Sequence, residues 1–311
     1  MAIKLATIGH VLCETIVFAD GHKEGPVLGS PAAYSGTVAA RLGISTGIVT
    51  KVGADAPPAL LQPLVDAGVD LTGIDRSSPH TTTNQLIYAP DGTKELRYLK
   101  QAPAITFQDV VESYPQAAAF HICPLDYEVS VDTVVEIARL GKIMSVDLGG
   151  YGGAHVRRDT SAKKKLSPPE LQRLISCFQV VKASDEDARL LFASEGLSDE
   201  ASAQRLVDWG ASVGIITLGP KGSLIVTPNN KYEVPALPGR VVDVTGGGDS
   251  YIAGFVADYL RTREPERAAV FASAVALCVI EKGGGVRAQR MPTEEEVRKR
   301  IVTAGYESHM F

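Results

Sequence analysis

The residues whose order carries most chemistry are Thr245-Gly246-Gly247-Gly248-Asp249, which head an apolar-faced stretch at 250–260 with helical spacing. Three consecutive glycines permit a tight turn whose backbone N–H groups face one way. At a helix start, those unpaired N–H groups and the positive end of the dipole form an anion hole, and phosphate is the expected occupant. A carboxylate beside a phosphate is repelled unless it does chemical work. The work that fits Asp249 is to take the proton of a substrate hydroxyl, which then attacks a γ-phosphate. Gly246, Gly247 and Gly248 would stabilise charge on the group in transfer. A lone Gly-Asp would read as a helix cap; the preceding Asp243-Val244-Thr245 weighs for catalysis.

Other glycine-rich chemistries fit poorly. A dinucleotide fingerprint needs G-x-G-x-x-G near the first strand, whereas the sixth position from Gly246 is Tyr251 and the segment lies late in the chain. The Gly-Lys-Ser/Thr string of a P-loop does not occur.

To position such a turn, the chain alternates short apolar runs with amphipathic stretches. Strands are expected at 3–8, 47–52, 119–122, 143–147, 179–182 and 214–218, and helices at 31–42, 57–67, 131–140, 185–191 and 201–209. That rhythm implies an α/β fold with a mainly parallel sheet and helices on both faces. Two stretches break it. Residues 85–89 and 95–100 flank the turn Pro90-Asp91-Gly92-Thr93, a hairpin signal, and 14–27 alternates apolar and polar residues. Together they predict a small antiparallel sheet standing off the main one, a candidate lid built from about 11–28 and 82–102. The basic run 157–165 reads as a surface loop.

With 311 residues, 45% hydrophobic and 22% charged, the chain reads as one globular domain over 1–311 with the lid inserted in it. A net charge of −5 gives no basic footprint, so no nucleic-acid partner is expected. Cys13, Cys123, Cys177 and Cys278 stand apart without Cys-x-x-Cys pairing, which reads as reduced thiols rather than zinc ligands or disulfides. The first nine residues read as a strand, not a signal peptide, and no run reaches the roughly 18 apolar residues of a membrane span. A cytoplasmic location without a membrane partner is expected.

Asp243-Val244-Thr245-Gly246-Gly247-Gly248-Asp249 resembles the D-T-x-G-A-G-D signature of the ribokinase (PfkB) carbohydrate kinases. Further resemblances follow in family order over nearly the whole chain. They are Gly29-Ser30-Pro31-Ala32-Ala33-Tyr34 leading to Arg41-Leu42-Gly43, Lys51-Val52-Gly53-Ala54-Asp55, and Thr217-Leu218-Gly219-Pro220-Lys221-Gly222. The resemblance implies a three-layer αβα ribokinase-like fold with a β-sheet lid, magnesium-ATP as donor and Asp249 as base. It implies that Thr217, Gly219, Gly222, Thr245 and Gly284 line the nucleotide side. Asp243 would sit near the ions, with K+ a candidate monovalent cation, and lid strands pairing between subunits would make a homodimer.

Departures mark where the resemblance is looser. Where the family has an Asn-x-x-Glu pair that organises magnesium through water, this chain has Ser184 and Asp187, which also suit a helix capping box. Glu14 falls where a sugar-binding Asp is common, Ser30 replaces the second Gly of a Gly-Gly motif, and Tyr34 replaces its Asn. Glu14, Gly29, Ser30 and Tyr34 are therefore candidate acceptor contacts, and Asp147, at a strand end before Gly149-Gly150-Tyr151-Gly152-Gly153 where α/β sheets bind ligands, is another. A small sugar or polyol is the leading acceptor, a cyclitol included, with a nucleoside second if the lid offers apolar walls for a base. A non-catalytic sugar sensor would forgo Asp249 or its glycines, and both are intact.

Overall fold

A strand buried at every position has to be covered on both faces, and β1 (Leu5–Ile8) is such a strand. In the computed structural model, which describes residues 2–89, 94–153 and 165–306, β1 lies inside a large sheet flanked by helices. The elements after it are β2 (Leu12–Val17), β3 (Lys23–Gly29), α1 (Pro31–Arg41), β4 (Thr46–Gly53), α2 (Gln62–Ala67), β5 (Ile74–Ser78), β6 (Thr83–Tyr88) and β7 (Lys94–Lys100). Then come α3 (Phe107–Ser113), β8 (Ala119–Ile122), α4 (Val131–Ala138), β9 (Ile143–Asp147), α5 (Pro168–Ile175), β10 (Val180–Ser184), α6 (Asp185–Leu191), α7 (Asp199–Asp208) and β11 (Val213–Thr217). The chain closes with β12 (Ser223–Val226), β13 (Lys231–Val234), α8 (Gly247–Thr262), α9 (Pro265–Ile280) and α10 (Glu294–Thr303).

The main sheet has the order β13-β12-β11-β10-β9-β8-β1-β4-β5. From β5 to β11 every pairing is parallel, and β12 and β13 return antiparallel at one edge. Successive side chains feed opposite faces. Leu5, Val180, Val213 and Ile215 join the core that holds the apolar residues of α1, α8 and α9, while Ala6, Val181 and Ile216 join the core of α3 to α7. The result is a three-layer αβα architecture.

The second sheet has the order β3-β2-β6-β7. Its outer pairs are antiparallel, but β2 and β6 run parallel, so the sheet is mixed rather than antiparallel throughout. The reason is topological. β2 and β6 follow closely on β1 and β5, which point the same way in the main sheet. The expected turn at 90–93 and most of the expected loop, residues 157–164, lie outside the described residues.

Helix α2 begins five residues later than the expected 57, at Gln62, because Pro57 to Leu61 form successive turns such as Leu60 N–H to the Pro57 carbonyl (2.9 Å). Among the described residues, no helix is long and apolar enough to cross a membrane, and all four cysteines are free thiols.

Candidate active site

The C-terminal ends of parallel strands are where open α/β sheets leave room for ligands. Here β10 ends at Ser184 and β11 at Thr217, and the second sheet stands over them. Between them lies a cleft of ≈ 880 Å³. Its lining includes Glu14, Gly29, Ser30, Tyr34, Ser184, Asp187, Thr217, Gly219, Thr245, Gly246, Gly248 and Asp249, all expected from sequence.

The glycine turn explains itself residue by residue. Gly246 caps α8 with φ 77°, a conformation that favours glycine. A side chain there would also overlap the Tyr34 ring, on which the turn rests. The Gly247 N–H donates to the Val244 carbonyl at 3.1 Å, so that amide is already spent and Gly247 does not line the cleft. The anion-binding expectation passes to Gly246 and Gly248. Asp249 sits in the first turn of α8, and its carbonyl accepts from the Ser35 hydroxyl at 3.3 Å.

Beneath Gly248 lies a cation that the sequence reading did not assign. A Cβ on Gly248 would stand 3.1 Å from Lys182 Nζ, and Lys182, only 4% exposed, lines the cleft. Burial pulls its ammonium toward neutrality. The Asp147, Asp187 and Asp249 carboxylates outweigh that, together with the hydrogen bond to Asp147, and raise Lys182 above the ordinary lysine value. Asp147 pairs with Lys182 at 2.8 Å, and its other oxygen accepts from the Gly149 N–H at 3.1 Å. Asp147 is 4% exposed and absent from the cleft wall, and it meets the site through Lys182, which lines the cleft.

Ser184 and Asp187 form the capping box of α6, with Ser184 N–H to Asp187 Oδ2 at 2.9 Å and Asp187 N–H to Ser184 Oγ at 3.0 Å. Their cleft positions remain open to a ligand's water shell. Gly222, with φ 100°, is packed beneath the Val234 carbonyl and does not line the cleft.

On the side of the second sheet, Glu14 of β2 takes a hydrogen bond from Asn84 Nδ2 of β6 at 2.8 Å, so two of its strands share one polar patch. Ser30 caps α1 by accepting from the Ala33 N–H at 3.1 Å, with a positive φ of 110° that suits the glycine it replaces. Tyr34 is 3% exposed, so it supports the glycine turn more than it offers a wall; burial pushes its phenol up and holds it protonated. Leu12, Leu86, Leu96 and Leu125 supply apolar cleft surface instead.

Asp243 and Gly284 also lie off the cleft wall. The Asp243 carboxylate accepts from the Thr245 N–H (2.9 Å), the Gly284 N–H (3.4 Å) and Arg290 (3.4 Å). The Thr245 amide bond, with Arg290 behind it, outweighs burial and holds Asp243 below the usual carboxylate range. Asp243 ties two loops together, the glycine turn and the segment of Gly284. Among the described residues no group of three metal-binding side chains converges, while Asp185, Glu186 and Asp187 line the cleft. That donor set fits magnesium, which dehydrates reluctantly and keeps its own waters.

Lys182, Asn84 and Arg290 were not legible as site residues. Lys182 sits inside an apolar strand, and an unpaired charge there was the available signal, because a buried lysine demands carboxylate partners.

The profile of the pfkB family carbohydrate kinases matches residues 32–293. A cytidine kinase of Thermococcus kodakarensis is 32% identical over 269 residues, 85% of this chain and 91% of that protein. A nucleoside kinase of Methanothermobacter thermautotrophicus is 26% identical over 317 residues, 97% of each. Among solved structures, Arabidopsis thaliana ribokinase complexed with ribose and ATP shares the fold at TM-score 0.79, with 19% identity over 99% of this chain and 100% of that one. The nucleoside kinase of Methanocaldococcus jannaschii does so at TM-score 0.73, with 20% identity over 97% and 99%.

Proposed function

The chain belongs to the pfkB family of carbohydrate kinases and is a phosphotransferase with an alcohol group as acceptor, and we propose that it transfers the γ-phosphate of ATP to a sugar hydroxyl of a nucleoside. The observation that carries this reading is Asp249 lining the cleft beside Gly248, which itself lies against the Lys182 ammonium. Asp249 accepts the hydroxyl proton as the oxygen attacks. Lys182 and the turn amides hold the phosphoryl oxygens as charge spreads over them, in a site already organised before the substrate arrives. Asp187 would hold magnesium through water beside the phosphates, where the ion would supply positive charge. The mixed sheet serves as the lid that excludes water.

Two facts favour a nucleoside over a free sugar. The lid and the 123–128 loop present four leucines to the cleft, surface that a base can cover and a bare polyol cannot. The two quoted proteins with the highest sequence identity, 32% and 26%, are a cytidine and a nucleoside kinase. A sugar or polyol acceptor, cyclitols included, is the second reading, supported by the polar Glu14–Asn84 pair. The deciding test is ADP release with pyrimidine and purine nucleosides, pentoses, hexoses and cyclitols. Cytidine or another nucleoside should give the highest kcat/KM, and a free sugar or cyclitol in that place overturns the preference. Asp249→Asn should lower kcat on the best acceptor by about 10²–10⁴ with an unchanged melting midpoint. Equal turnover by the variant refutes Asp249 as base.

A further inference from the structure

We propose that Arg290 is a built-in cation: its guanidinium takes the place between the glycine turn and the 279–285 segment that a monovalent ion such as K+ would hold, and the enzyme needs no such ion. Two segments turn backbone carbonyls toward one point. From the first, Asp243 and Thr245 carbonyls lie 3.3 and 2.9 Å from Nη2. From the second, the Gly285 carbonyl lies 3.0 Å from Nη1, and those of Val279 and Lys282 lie 3.2 and 2.8 Å from Nε. The Asp243 carboxylate adds a formal negative charge at 3.4 Å.

Converging carbonyls of this kind replace the water shell of an alkali cation. Here the guanidinium, 3% exposed, already saturates them, and its remaining donor reaches the Tyr34 hydroxyl at 2.8 Å. A second cation in the same place would meet the first at contact range without water to screen it. The residues present therefore do not fit a monovalent ion, against the expectation drawn from the family resemblance. Arg290 also holds the Tyr34 ring on which Gly246 rests, so this fixed charge sets the height of the anion-binding turn. It is a positioning residue, since it acts through the turn.

The inference depends on the kinase reading only in its activity arm, so the experiment has two. The full chain is moved into tetramethylammonium chloride, KCl is raised at constant ionic strength, and the melting midpoint and ADP release with cytidine and ATP are followed. The wild type should show no K+ response in either. A K+-dependent rise in midpoint or rate overturns the proposal. Should cytidine not be phosphorylated, the acceptor reading fails while the midpoint still decides. Arg290→Ala should melt lower and lose about tenfold or more in kcat, with acceptor KM little changed. Guanidinium chloride or KCl should restore part of the loss where tetramethylammonium does not. Full activity and an unchanged midpoint in that variant would equally sink the idea. If Arg290→Ala does not fold, Arg290→Lys, which keeps the charge, should retain K+ independence, and a K+ requirement in it is the adverse result.

Discussion

Lys182 and Asp147 show how a pair can be structural and functional at once. Both are 4% exposed, so their charges are tolerated only because they meet at 2.8 Å. Lys182→Met strands the Asp147 carboxylate and should cost about 3–5 kcal/mol in urea unfolding. The double variant Lys182→Met with Asp147→Leu removes both charges and should recover most of that stability. It should not recover activity, because the ammonium under Gly248 is still missing. Recovery of both would show that the pair serves the fold alone. Ser30 makes the opposite point. Its φ of 110° and ψ of 151° fall in a region nearly reserved for glycine, at a cost of about 1–3 kcal/mol. Ser30→Gly releases that strain, loses a few tenths of a kcal/mol from the cap, and gains some unfolded-chain entropy. The net expectation is stabilisation by about 1 kcal/mol on the same assay.

At the scale of elements, α8 must carry Asp249 into the cleft while lying close against α9. Gly254 makes that approach possible, since a Cβ there would stand 2.9 Å from Val275 Cβ and 3.2 Å from Ala272 Cα. Gly254→Ala adds the helix propensity of alanine but forces the two helices apart, and should destabilise by about 1–3 kcal/mol. A rise in melting midpoint would mean that the helix pair has slack. The same packing explains what sequence periodicity reveals. Strands β8 and β9 and helix α6 are legible to the residue because short apolar runs or a Ser-x-x-Asp start bound them. Helix α9 is not, because it is buried nearly all round and its apolar residues mark no face. Edge strand β5, Ile-Asp-Arg-Ser-Ser, is too polar to register, and its partner β4 supplies the pairing. At the site, Asp249 and its glycines were readable because their chemistry is local. Arg290 was not, because its partners at 34, 243 and 245 are distant in sequence and mostly backbone carbonyls, which have no sequence signature.

At the scale of the whole molecule, the sheet's centre buries an imidazole that makes folding sensitive to acid. His121 of β8 is fully buried, and its Nδ1 pairs with the Ser145 hydroxyl at 3.0 Å. Burial pulls its pKa down from 6.5 to about 4, against the opposing pull of Asp147, with Lys182 adding a smaller downward push. Between those two values the unfolded chain binds a proton that the folded chain refuses, so stability rises with pH across that window. The contribution is fully present above 6.5 and is lost as pH falls toward 4. At pH 4.5 the loss from this group alone is on the order of 2–3 kcal/mol relative to pH 7.5. Urea unfolding at the two pH values should show the wild type losing more stability than His121→Asn by about that amount. Parallel losses in the two proteins would place the acid sensitivity elsewhere and leave the imidazole a passive filler beneath the Asp147–Lys182 pair.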